Sequence, residues 1–172
     1  MSTAWGAALA HQTTRTAVNV DDEGGAEVIT VTGGTAYALL GDLAFLHDHN
    51  GLLVGDEEPR PDLVIVVVDN DGGGIFGQLE QAGSEHYERV FGTPLGLDLA
   101  AVAKAAAVDD VTVVDDVTGL VAALDEATAR GSVRVVIAKV GDRDSEAQLL
   151  RDVQADVSAA LRDLESEDAD DD

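Results

Sequence analysis

Cysteine is absent from this 172-residue chain, which excludes disulfide staples, thiolate nucleophiles and Cys-ligated zinc together. Lysine is nearly absent too. Lys104 and Lys139 are the only two, and the 10 Lys and Arg residues face 34 Asp and Glu, for a formal charge of −24. A nucleic-acid or anionic-membrane surface needs a field of Lys and Arg, but here the basic residues stand singly with no run of them. No nucleic acid and no membrane are expected as partners. Long apolar runs are also missing. No segment reaches the ~18 residues of a membrane span, and the longest apolar block, Leu63 to Val68, is strand-sized. The first ten residues lack the charged region that opens a signal peptide, so a soluble, cytoplasmic protein is expected. The acidic, lysine-poor balance suits a salt-loving cytoplasm or a high-GC genome, and composition does not separate the two.

What is present points to an α/β protein. Aromatics are only 3%, and the 45% hydrophobic content is mostly Ala, Val and Leu, the habit of aliphatic strands packed under Ala/Leu helices. The length suits one domain, and a chain of this size buries roughly two-thirds of its unfolded surface without a staple. Along the sequence, Ala4 to His11 reads as a short helix. Thr13 to Thr35 reads as a hairpin or loop excursion turning at Asp21 to Gly25. Ala36 to Leu40 reads as a strand stopped by Gly41-Asp42, and Leu43 to Leu53 as a helix. Leu63 to Val68 is a continuous apolar run, as in a parallel strand buried on both faces; it leads into Asp69-Asn-Asp-Gly-Gly-Gly74 and a short helical piece. Gly83 to Gly96 is irregular. Helices are expected at Leu97 to Val108, Val117 to Ala129 (ended by a turn at Gly131) and Ser145 to Leu164, with strands at Val111 to Val114 and Val133 to Val140. The alternation predicts a doubly wound parallel sheet with helices on both faces. Residues 165–172 form an acidic run that cannot bury itself, and a disordered tail is expected there.

In open α/β sheets ligands bind beyond the carboxyl ends of strands. Two such ends carry polar residues: Gly41-Asp42, and Asp69 to Gly74. Asp42 and Asn70 are one strand–helix–strand unit apart. If their strands are neighbours, a carboxylate and an amide oxygen project into one crevice, and the glycines allow a backbone carbonyl to turn inward. Three oxygens are a half-shell for Mg²⁺, which completes its coordination with phosphates and water; a divalent ion also reverses the local charge that repels a bare diphosphate. The alternative is that these residues only cap a helix and shape a turn. The dinucleotide fingerprint and the Walker A loop are both absent.

Gly41-Asp42, followed at this distance by Asp69-Asn-Asp71, resembles the thiamine diphosphate signature. Within that superfamily, the stretch Gly41 to Leu53, the stretch Val68 to Phe76 and Phe91-Gly-Thr-Pro94 are similar to the SEPHCHC synthases (MenD) of menaquinone biosynthesis, with a likeness running from Ser2 to about Leu164. The resemblance implies thiamine diphosphate and Mg²⁺ (or Mn²⁺) as cofactors. Asp42, Asn70 and the Gly72 carbonyl would be the metal ligands, and Gly41, Asp42, Leu43, Ala44, Gly72, Gly73, Ile75 and Phe76 would line the cofactor. Two positions depart from the family: Asp69 stands where Asn is common, and Leu95 where many members carry His. The implied reaction is decarboxylation of 2-oxoglutarate and addition to isochorismate by a transferase. It further implies that the pyrimidine-binding domain with its activating glutamate lies outside this chain, that residues 1–164 are an N-terminally truncated diphosphate-binding domain lacking its first strand, and that the complete enzyme is a homo-oligomer, a homodimer in the simplest case. No catalytic residue is assigned in this chain. The alternative function is a non-catalytic fragment or split subunit that binds cofactor only with a partner chain.

The remaining candidates read more plainly. His47 and His49 are two residues apart and point in different directions on a helix, so a packing role or a supporting role behind the site is expected rather than a shared ion; Asn50 is expected to support that helix and the site rather than to react. His86 and Tyr87 could form a flap or a solvated loop. Trp5 is expected in an interface or the core, and Asp115-Asp116 at a helix cap or in solvent, with no function assigned to them. No nucleophile-elbow context supports hydrolase chemistry.

Overall fold

The computed structural model describes residues 1–13, 15–20, 26–31, 33–127, 132–141 and 143–170. The expected turns at 21–25 and at Gly131 lie outside them. The chain divides into two units, Met1–Asp69 with Leu97–Val140, and Asn70–Gly96 with Gly141–Asp172.

In the first unit, α1 (Ser2–Gln12) leads to an antiparallel pair, β1 (Arg15–Val20) and β2 (Ala26–Val31), the arms of the expected hairpin. A four-stranded sheet follows, built from β3 (Ala36–Gly41), β4 (Leu63–Asp69), β5 (Asp110–Val114) and β6 (Val133–Lys139) in the order β3-β4-β6-β5. Every pairing in it is parallel. The central strands β4 and β6 are the ones whose sequences are almost unbroken Val, Ile and Leu, because both their faces must be dry. The edge strand β3 alternates partly buried and exposed residues.

Helices cover both faces. On one, Leu63, Ile65 and Val67 of β4 and Val133, Val135 and Ile137 of β6 pack with Trp5 and Ala8 of α1, Phe45 of α2 (Asp42–Asp48), and Leu99 and Ala103 of α3 (Leu99–Ala105). On the other, Val64 and Val136 meet Ala123 of α4 (Val117–Ala127), flanked by Val66, Val114, Leu120 and Leu124. This is the expected α/β doubly wound arrangement. Trp5 belongs to the core, with its indole N–H donating to the Pro59 carbonyl at 3.2 Å. Gln12 ties the end of α1 to the entry of β4: its amide donates to the Asp62 carbonyl at 2.7 Å and accepts from the Asp62 N–H at 2.9 Å.

Several helices differ from their expected bounds: α1 and α5 are longer than expected, and two others depart for reasons visible in their contacts. The segment read as one helix from Leu43 to Leu53 is α2 followed by a 3₁₀ turn, His49–Leu52. Gly51 lies there so close to Met1 and Ser2 that a Cβ would fall 2.6–2.8 Å from them, which tightens the chain out of α geometry. α3 starts later than expected because Asp98 caps it, accepting from the Ala101 N–H at 3.0 Å. Asp116 likewise accepts from the Gly119 N–H in the first turn of α4, as expected of that acidic pair.

The second unit holds the glycine-rich segment, three short turns (Gly74–Gln78, Glu80–Gly83 and the π-type turn Glu88–Gly92) and α5 (Arg143–Asp170). The backbone of α5 continues into the acidic segment that begins at residue 165. Its start packs on the first of these turns: Ala147 is buried, and the Arg151 guanidinium donates to the Gly77 carbonyl at 3.3 Å. Among the described residues no helix is long and apolar enough to cross a membrane.

Candidate functional site

Gly41 closes β3, and Asp42, Leu43 and Ala44 form the first turn of α2. The register sets Gly41 opposite Val68, so α2 begins beside the exit of β4, at the carboxyl edge of the sheet. Asp42 is only 5% exposed, and its Oδ1 accepts from the Leu43 N–H at 2.6 Å. A carboxylate is held this deeply only where positive charge or N–H donors face it. The positive end of the helix supplies part of that, and a divalent cation would add to it. At the same edge Asp69, only partly buried, forms an ion pair with Lys139 at 3.4 Å. Lys139 offsets part of the Asp69 charge, although it is exposed and the pair contributes little energy.

Residues 70–76 lie in the second unit and are folded against the Phe91-Gly92 backbone. The Gly73 N–H donates to the Gly92 carbonyl at 2.7 Å. Gly72 has φ +134°, and a Cβ on it would come within 2.2 Å of the Gly92 oxygen; one on Gly73 would come within 2.4 Å of the Phe91 oxygen. No side chain fits at either position. Asp71 and Thr93 hold left-handed backbone, with φ of 54° and 42°, the kind of strain that functional loops concentrate. Asp71 joins the loop to the end of the Phe-Gly-Thr-Pro motif: its Oδ1 accepts from the N–H groups of Leu95 and Gly96 at 3.1 and 2.9 Å. The Asp69–Phe76 and Phe91–Pro94 motifs are thus one folded piece.

The ring of Phe76 lies 5.3 Å from that of Phe91, and Ile75 stands largely exposed. Tyr87 is no part of a solvated loop. It is buried against Phe91, and its hydroxyl donates to the Gly73 carbonyl at 3.4 Å, because the turn beginning at Glu88 swings the ring inward. His86 stays exposed.

Sequence reasoning missed the residues that hold this loop from α5. Arg143 donates to Glu88 Oε2 at 2.7 Å, and its Nη1 is buried without a hydrogen-bond partner among the described residues. Glu146 accepts from the Asn70 amide at 3.0 Å. No local signal marks these positions; both look like ordinary charged residues opening a helix. Two of the side chains in the His47-Asp48-His49 cluster are engaged locally. His49 Nδ1 bonds the Leu46 carbonyl, Asp48 meets the Met1 amino group, and among the described residues no three His, Cys, Asp or Glu are grouped to hold an ion.

A buried carboxylate opening a helix at the carboxyl edge of a parallel sheet, next to a strand that feeds a glycine loop, defines an α/β ligand-binding domain. The chain belongs to the family of the thiamine pyrophosphate enzyme, C-terminal TPP binding domain, which matches residues 1–138. Its relatives include the 2-succinyl-5-enolpyruvyl-6-hydroxy-3-cyclohexene-1-carboxylate synthases of Thermobifida fusca (49% identical over 94% of this chain and 25% of that protein) and Mycobacteroides abscessus (42% identical over 94% and 25%). The synthase of Saccharopolyspora erythraea is 57% identical over 47% of this chain and 15% of its own length. The chain thus spans about a quarter of the length of the relatives that match most of it.

Proposed function

We propose that the chain forms the diphosphate-and-metal half of the cofactor site in a SEPHCHC synthase-like transferase, with residues 1–164 as the binding domain and 165–172 as an acidic tail. Asp42, the Asn70 amide oxygen and the Gly72 carbonyl hold Mg²⁺ or Mn²⁺, and Gly41, Leu43, Ala44, Gly73, Ile75 and Phe76 line the cofactor. The observation that carries the reading is the burial of Asp42 in the first turn of α2, beside the exit of β4. The donor set fits the group. Hard oxygen ligands suit Mg²⁺, and the glycine loop has backbone where side chains would stand. The bond from the Asn70 NH₂ to Glu146 turns the amide oxygen away from that carboxylate.

Thiamine diphosphate supplies the carbanion chemistry when bound; the residues of this chain bind and orient it and neutralise its phosphates through the metal. The substrates are 2-oxoglutarate and isochorismate, in the menaquinone pathway named by the resemblance, and the setting is cytoplasmic. Both substrates are anions that call for Arg or Lys. Those groups and the activating glutamate are proposed to come from a pyrimidine-binding domain or subunit, within a homodimer. The quarter-length match also supports a second reading, in which the chain alone binds cofactor weakly and turns nothing over. A 2-oxoglutarate decarboxylation assay tests the proposal. The chain mixed with a pyrimidine-binding domain of a relative should release CO₂, and the chain alone should not. Turnover by the chain alone would sink the assignment of the acid–base work to another domain.

A further inference from the structure

We propose that Glu146 is a positioning residue for Asn70: by accepting from its Nδ2, it fixes which end of the amide is offered to the metal. The inference rests on the reading of Asn70 as a metal ligand. A side-chain amide is nearly symmetric in shape, with an acceptor oxygen on one arm and two donor hydrogens on the other. Left unrestrained it can present either arm, and the NH₂ arm repels a cation. A carboxylate only accepts, so Glu146, 3.0 Å from Asn70 Nδ2, selects the orientation with the oxygen on the other arm.

Two further observations show this contact to be built in. A Cβ at Gly74 would fall 2.9 Å from Asn70 Nδ2 and 3.4 Å from Glu146 Oε2, so glycine at this position keeps the space that the pair occupies. The first turns of α5, which carry Glu146, are anchored on both sides of it, by Arg143 on Glu88 and by Arg151 on the Gly77 carbonyl. Partners that orient metal ligands typically change metal affinity by about 10- to 100-fold when removed.

The test uses the full chain. Calorimetric titration measures thiamine diphosphate binding in the presence of Mn²⁺, with thermal melts as a folding control. Glu146→Gln and Glu146→Ala should weaken binding by about 10-fold or more at unchanged melting temperature. Glu146→Gln should also move the side-chain NH₂ resonances of Asn70 in the cofactor-free protein. The discriminating variant is Asn70→Asp. A carboxylate at residue 70 has no polarity to orient and is repelled by Glu146, so adding Glu146→Gln to it should strengthen binding. Equal weakening in both backgrounds would mean a purely structural role and overturn the inference. Unchanged affinity on losing Glu146, with Asn70→Ala abolishing binding, would overturn it while leaving the metal reading intact. Unchanged affinity in Asn70→Ala would overturn the metal reading itself, and no metal-dependent binding by the unsubstituted chain would overturn both.

Discussion

Ala107 sits where a helix usually ends in glycine. It follows α3 with φ of 61°. The Ala107 and Val108 N–H groups return to the carbonyls of Lys104 and Ala103, at 3.0 and 3.2 Å, the pairing of a Schellman cap. A Cβ in this conformation costs about 1–2 kcal/mol, partly offset by the greater freedom that glycine has in the unfolded chain. Ala107→Gly should therefore stabilise the fold by about 0.5–1 kcal/mol, read as a rise of a few degrees in the thermal midpoint; a fall would contradict the capping account. The opposite holds at Gly72, where φ is +134° and the Gly92 oxygen occupies the place of a side chain. Gly72→Ala should lower the melting temperature and weaken cofactor binding together. Loss of neither would show that the loop tolerates a different path.

Among the elements, β6 carries the main departure from simple patterning. Arg134 lies inside an otherwise apolar strand and is 3% exposed. Its guanidinium donates to Asp110 Oδ2 on β5 at 2.7 and 2.8 Å, and to the Ala123 carbonyl on α4 at 3.1 Å. Removing one member of such a pair strands a buried charge, at a typical cost of about 3–5 kcal/mol; Asp110 is only partly buried, so the lower end applies. Asp110→Ala should cost about 3 kcal/mol in denaturant melts, while Asp109→Ala, one residue before the strand, should cost little. Equal effects would contradict the pairing. The same elements explain what the sequence made legible. The strands and most helices could be read because buried parallel strands must be apolar throughout and helices must repeat. Gly41-Asp42 and the Asp69–Phe76 segment stood out because each breaks the pattern where a strand ends. Arg134 and Glu146 escaped notice because their partners are remote in sequence, as with Asn70 and Glu146, 76 positions apart. The break in α2 escaped for the same reason, since Gly51 is crowded by Met1 and Ser2.

The whole molecule is governed by its charge. At −24, the folded chain repels itself, and salt screens that repulsion over a Debye length that shrinks from about 10 Å at 0.1 M to about 3 Å at 1 M. Its thermal midpoint should rise as NaCl increases across that range, and a flat or falling profile would show that paired charges dominate. The same field opposes a bare diphosphate, which is why the account gives the anion a metal bridge at Asp42, Asn70 and Gly72. The measurement that bears on this most directly is calorimetric titration of thiamine diphosphate into the chain with Mg²⁺ and with the metal chelated, repeated for Asp42→Ala. The account predicts binding with Mg²⁺, none without it, and none for Asp42→Ala at unchanged folding. Binding of equal strength in chelator, or an Asp42→Ala chain that binds as well as the original, would contradict it.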